Sequence, residues 1–137
     1  MNATAQAAGI YRRFSIETAS PARCVAMLYE GALRFLDRAL QGFDLDDPLA
    51  RNETIHNNVQ RTRAILEELN AWLNLEAGGE LAAALRRVYL YCDWRLEQSL
   101  LKKEPTGIED VRTRLAVLHE AWTQAMGGES YADSHRG

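Results

Sequence analysis

Four stretches of this chain repeat apolar residues in alternating steps of three and four, and that spacing fits only one kind of secondary structure. Ile55, Val59, Thr62, Leu66, Leu69 and Leu73 form one stripe, and Ile108, Val111, Leu115, Leu118, Trp122 and Ala125 repeat it. Val25, Leu28, Ala32, Phe35, Ala39 and Phe43 form a third, and Leu81, Leu85, Val88, Cys92 and Leu96 a fourth. Such steps put the apolar side chains on one face of an α-helix. The two-residue alternation of a half-buried strand is absent. Punctuation agrees with the stripes. Ser20-Pro21, Asp47-Pro48 and Glu104-Pro105 each place proline near the first helical position, where its missing N–H is no loss. Ser20 and Asp47 are good caps, Thr106 with Glu109 offers a capping box, and Gly78-Gly79 can end one helix and open the next.

These signals predict helices at about 21–43, 48–76, 80–103 and 106–126, joined by short loops. Four amphipathic helices so connected pack as an all-α, antiparallel up-down-up-down bundle over residues 18–127. Residues 1–17 read differently. "NATAQAA" is small and polar, but Ile10, Tyr11, Phe14 and Ile16 follow closely. The segment is too short to fold alone and too apolar for a solvated tail, so it is expected to lie as an arm against the bundle. Residues 128–137, rich in Gly and Ser, are expected to be a flexible tail.

Composition narrows the function. The net charge is -3, and Lys and Arg are interleaved with Asp and Glu, which disfavours nucleic acid and anionic membrane as partners. No stretch approaches the ~18 apolar residues of a membrane span, and the first residues lack the basic and apolar runs of a secretory signal. A cytoplasmic protein is expected. Cys24 and Cys92 fall inside apolar helical patterns and read as small buried hydrophobes rather than a disulfide.

The search for chemistry returns little. Glu53-Thr54-Ile55-His56 is one copy of the Glu-x-x-His motif of di-iron bundles, but His119 has Ala116 three residues before it, so the second copy is missing. A phosphotransfer histidine fits His119 poorly, beside Glu120, and His56 only weakly. Gly78-Gly79 lacks the lysine of a phosphate loop, and "DLDD" at 44–47 lacks the remaining ligands of a calcium loop. No enzyme, metal or cofactor is expected.

What remains is surface. Gly31 lies several turns into the first helix, where glycine costs about 1 kcal/mol relative to alanine. With Ala32 it makes a low spot framed by Leu28 and Tyr29, either open to an approaching chain or relieving crowding inside the bundle. In "VYLYCDW", Tyr89, Tyr91 and Trp94 point to different sides of one helix, so one stripe cannot bury them all. Trp72 also falls one step off its stripe. Edge aromatics together with an apolar arm favour a helix-binding surface.

Several signatures in order carry a resemblance. "TASP" followed by "MLYEGALRF", then "RTRAILEELNAWLN", "GGELA", "VYLYCDWRL", and "HEAW" with the following "QAM" resemble the successive helices of the flagellin-specific export chaperones, the FliS family, over Ile10 to Met126. The resemblance implies a cytoplasmic, non-enzymatic bundle that binds the C-terminal segment of flagellin, prevents its premature polymerisation and aids delivery to the flagellar type III export apparatus. It implies that the arm covers part of the flagellin site and gives way on binding. With the low spot and the edge aromatics, partner contacts are expected at Ile10, Tyr11, Leu28, Tyr29, Gly31, Ala32, Tyr89, Tyr91 and Trp122. The family commonly reads Tyr-Asp-Tyr in its third helix, where this chain has Tyr89-Leu90-Tyr91, and Leu90 enlarges the apolar edge. An export-gate component, an anti-sigma factor or a co-chaperone as further partners, and a homodimer in the free state, stay open. So does the alternative of a helical adaptor or oligomerisation module for another partner.

Overall fold

The structure, a computed structural model, describes residues 10–11 and 20–136, with side chains described as far as residue 127. Of the expected arm, Ile10 and Tyr11 are therefore described, while Phe14 and Ile16 lie outside the described residues. Four helices follow: α1 (Pro21–Gly42), α2 (Pro48–Ala71), α3 (Leu75–Lys102) and α4 (Thr106–Arg136). Local chemistry sets their starts. The Ser20 side chain accepts the Arg23 N–H at 3.2 Å, that of Asp47 accepts the Ala50 N–H at 2.9 Å, and that of Asn74 accepts the Ala77 N–H at 3.1 Å.

Three boundaries differ from the sequence expectation. The second helix stops at Ala71 rather than at 76, because Leu73 pairs with Tyr11 as an isolated antiparallel bridge and Asn74 caps the next helix. The break expected at Gly78-Gly79 is a kink inside α3, where Gly79 takes φ 54°, a left-handed value that costs glycine little. At the far end, the α4 backbone continues to Arg136 through the segment expected to be a flexible tail. Two glycines there lower helix propensity without forbidding the hydrogen-bond ladder.

The helices close a ring: α1 packs on α2 and α4, and α3 packs on the same two. Val25, Leu36, Val59, Leu66, Leu69, Leu96, Ile108, Val111 and Leu115 are essentially sealed from solvent between them. The stripes of α2 and α4 run as the spacing predicts. In α1 the buried line is turned by one residue, so Tyr29 and Leu36 sit inside while Leu28 and Phe35 are half-buried. In α3 the line is Ala82, Tyr89, Cys92, Leu96 and Ser99, and Leu81 is 53% exposed. Both shifts have one cause: a tyrosine occupies the inner position that an aliphatic residue was expected to take.

Both cysteines are free and buried, and burial pushes the Cys92 thiol up to about 12, which keeps it protonated and unreactive. Interhelical ion pairs decorate the outside. Arg63 grips Asp93 (α2 to α3), Arg112 grips Asp37 (α4 to α1), and Arg95 reaches Asp110 (α3 to α4). Partly exposed pairs of this kind contribute about 0–1 kcal/mol each, so they fix register more than they add stability. No helix is long and apolar enough to cross a membrane among the described residues.

Two glycines separate helix propensity from packing. A Cβ added at Gly31 would meet Ile65 Cδ1 at 3.4 Å, an ordinary contact. One added at Gly107 would lie 2.2 Å from Ser99 Oγ and 2.8 Å from the Arg95 carbonyl oxygen. In urea denaturation, Gly31→Ala is therefore expected to hold or raise stability, the gain reaching about 1 kcal/mol. Gly107→Ala is expected to lower it by about 1–3 kcal/mol.

Candidate functional site

One end of the bundle is organised around phenols. Tyr29 on α1 and Tyr89 on α3 face each other across the core, and the arm brings Tyr11 up to both. The Tyr89 hydroxyl is hydrogen-bonded to both Tyr29 and Tyr11, and the Tyr11 and Tyr29 oxygens lie 3.4 Å apart. A buried hydroxyl without a partner costs about 1–3 kcal/mol, and here each one satisfies another. The Tyr11 ring stands edge-on to Trp122 at 5.5 Å between centroids, and Trp122 Nε1 donates to the Ala22 carbonyl at 2.9 Å.

The backbone fixes the arm as firmly as the side chain does. The Asn74 N–H donates to the Ile10 carbonyl at 2.6 Å beside the Tyr11–Leu73 bridge. Gly78 allows the close approach, since an added Cβ would sit 3.3 Å from Ile10 Cα and 2.6 Å from Ala82 Cβ. Ile10 and Tyr11 are consequently 4% and 5% exposed, as buried as the helical core.

Next to this cluster, a groove of about 460 Å³ opens between α2 and α3. Leu66, Tyr89 and Leu90 give it an apolar lining, Gln60 and Asn70 flank it, and the Arg63–Asp93 pair joins its two walls at 2.8 Å and 3.2 Å. Leu90, 52% exposed, lines the groove. Asn70 Oδ1 is buried with no partner among the described residues, leaving an acceptor on the groove wall. Tyr89 belongs to both features: its body lines the groove and its hydroxyl holds the arm.

The structure thus brings together Ile10, Tyr11, Tyr29, Tyr89 and Trp122 of the residues singled out in the sequence. Gly31 is buried against Ile65 of α2, so the low spot it makes is filled by the bundle's own helix, with Ala32 buried beside it and Leu28 half-buried. Tyr91 lies on the α4 side of α3, donating to Asp110 Oδ2 at 2.8 Å beneath the Arg114 guanidinium, 4.6 Å from its ring. Burial opposes charge on Asp110, but hydrogen bonds from Tyr91, Arg114 and Arg95 outweigh it and hold the carboxyl below its ordinary range. His119 is half-buried with Glu30 Oε1 3.6 Å from Nε2, an acidic setting that would repel a phosphoryl group. No group of three His, Cys, Asp or Glu side chains is placed to hold a metal ion among the described residues. The groove residues Gln60, Arg63 and Asn70 were not singled out from sequence, since each reads as a solvated helix position; the exposed Leu90 four residues before Trp94 was the available signal.

Known proteins share this chain's pattern along almost its whole length. The family model described as Flagellar protein FliS matches residues 2–129. The chain belongs to the FliS family. The Flagellar secretion chaperone FliS of Salmonella typhimurium is 33% identical over 135 residues, 96% of this chain and 98% of that one. The protein of the same name from Bacillus subtilis is 33% identical over 119 residues, 87% of this chain and 85% of the relative. That of Campylobacter jejuni is 35% identical over 116 residues, 82% and 85% of the two chains.

The phenol cluster has a consequence in alkali. Burial, first of all, raises all three hydroxyls above the ordinary tyrosine value of 10.0. They stay neutral in the fold while the unfolded chain ionises above about pH 10, so the unfolded state holds fewer protons there. Stability is expected to be unaffected by these groups below pH 10 and to fall above it by about 1.4 kcal/mol per pH unit for each phenol. Denaturation curves across that range, with phenolate absorbance followed in parallel, check this, since the buried phenols should ionise only as the chain unfolds. Tyr89→Phe, which strips both other hydroxyls of a partner, should cost about 1–3 kcal/mol, and Tyr11→Phe less.

Proposed function

We propose that this protein is a cytoplasmic flagellar export chaperone that binds the C-terminal segment of flagellin in the α2–α3 groove, with the arm giving way as the client enters. The relatives' name, Flagellar secretion chaperone, supports the chaperone role. The observation that carries the site is the double use of Tyr89, which lines the groove and anchors Tyr11 of the arm. A groove whose exposed apolar surface is Leu90, over the buried Leu66 and Tyr89 and with amide and charged groups beside it, suits an amphipathic helix laid along it. The driving force is burial of apolar surface at about 25 cal/mol per Å², less the cost of ordering a client that is largely disordered when free. Holding that segment keeps it from polymerising before export. Binding and release suffice for this, and no catalytic step enters.

Calorimetric titration with a peptide of the flagellin C-terminal segment should give heat, and circular dichroism a gain of helicity beyond the sum of the parts. No heat and no helicity gain would reject the reading. Replacing Ile10 and Tyr11 together by Ala removes the competitor, so affinity for the peptide should rise several-fold while the free protein loses stability. Unchanged affinity would leave the arm without a role in binding.

A further inference from the structure

The α2–α3 seam does not end at the groove. Farther along it, where α1 ends, α2 begins and α3 ends, lies a second cavity of about 310 Å³. Phe43, Ile55 and Leu100 give it apolar walls, and Arg51, His56 and Lys103 bring cationic or titratable nitrogen to it; none of its lining side chains is acidic. Ser99 also lines it, and its buried hydroxyl has no partner among the described residues. Lys103 is placed there by an unusual backbone. It is the one non-glycine residue with positive φ among the described residues, at 56°, and it caps α3 through its N–H on the Ser99 carbonyl. Arg51 is steadied by donating from Nε to the Leu45 carbonyl at 2.9 Å.

We propose that this cavity takes the chain end of the client: its free α-carboxylate on the cationic side, with its last apolar side chain against Phe43, Ile55 and Leu100. The assignment rests on the reading of the client as a C-terminal segment, which by definition carries such a carboxylate. Geometry and charge support it. Residues 63–66 of the groove and residues 52–55 of the cavity lie on one helix, about 16 Å apart at 1.5 Å per residue, the length of three turns of a bound helix. A helix in the groove with its C-terminus toward the cavity adds the negative end of its dipole to the carboxylate, and cations are favoured there. A pocket with apolar walls, two cations in its lining and no acid suits a chain end that carries a carboxylate.

Two peptides of the flagellin C-terminal segment test this, one with a free C-terminal acid and one amidated, titrated into the full-length protein. Amidation should weaken binding about five- to tenfold, the worth of charge-assisted hydrogen bonds at a partly open site. In Lys103→Asn, which keeps a residue tolerant of the left-handed backbone, the acid peptide should weaken and the gap between the two peptides should shrink. Equal binding of acid and amide to the unaltered protein would overturn the assignment while leaving the chaperone reading intact. Equal binding with a loss in Lys103→Asn would mean that the cavity reads an internal acidic side chain, which also overturns it. Failure of both peptides to bind would remove the client reading, and this inference with it.

Discussion

Three phenol hydroxyls buried away from solvent must find one another, and much of this molecule follows from that. Tyr29 and Tyr89 project from α1 and α3, which face each other diagonally across the bundle, and their hydroxyls meet in its centre. An aliphatic pair would fill the space without specifying what else must be there. The phenols also give Tyr11 a place to bond, so the arm's position is set by hydrogen-bond satisfaction as well as by apolar area. The Ile10 carbonyl on the Asn74 N–H and the glycine at 78 complete the seat.

The same arrangement explains which parts of the fold could be read from residues alone. The 3/4 spacing of α2 and α4 settled both helices because every stripe position there is aliphatic, Thr or Trp and faces inward. In α1 and α3 the stripe was read on leucine and phenylalanine. Tyr29 reads as framing the low spot at Gly31 and Tyr89 as one of three rings that a single stripe cannot bury together, and a tyrosine hydroxyl is costly to bury alone. That cost vanishes only when a second and third phenol arrive from elsewhere in the sequence, which no local pattern displays. The α2 end was missed for a related reason. Leu73 continues the apolar period perfectly, yet its backbone leaves the helix to pair with the arm, a choice made by a segment sixty residues away.

The site was legible in part. An arm with adjacent Ile10 and Tyr11 reads as something that needs a groove, and Tyr89 as one of the aromatics that favour a helix-binding surface. Gly31 was the more misleading feature: a glycine beside a large ring suggests an opening, but the ring turns inward and Ile65 of α2 covers the glycine. More than half of the groove's lining residues, Gln60, Arg63, Glu67, Asn70 and Asp93, are polar and would be expected on any solvated helix face. Only tertiary packing shows that they flank Leu66 and Leu90 rather than open water. A groove of this make-up can stay soluble when empty and still offer apolar surface to a helix, and Tyr89 belongs both to it and to the arm's seat.

The central claim is that the arm and the client compete through that residue. Amide hydrogen exchange at Asn74 reports on it directly, because that N–H is held by the Ile10 carbonyl only while the arm is seated. With saturating flagellin C-terminal peptide, exchange at Asn74 should accelerate toward the rate of an unbonded amide. An Asn74 amide that stays fully protected in the saturated complex would show that the client binds with the arm in place, and would contradict the account.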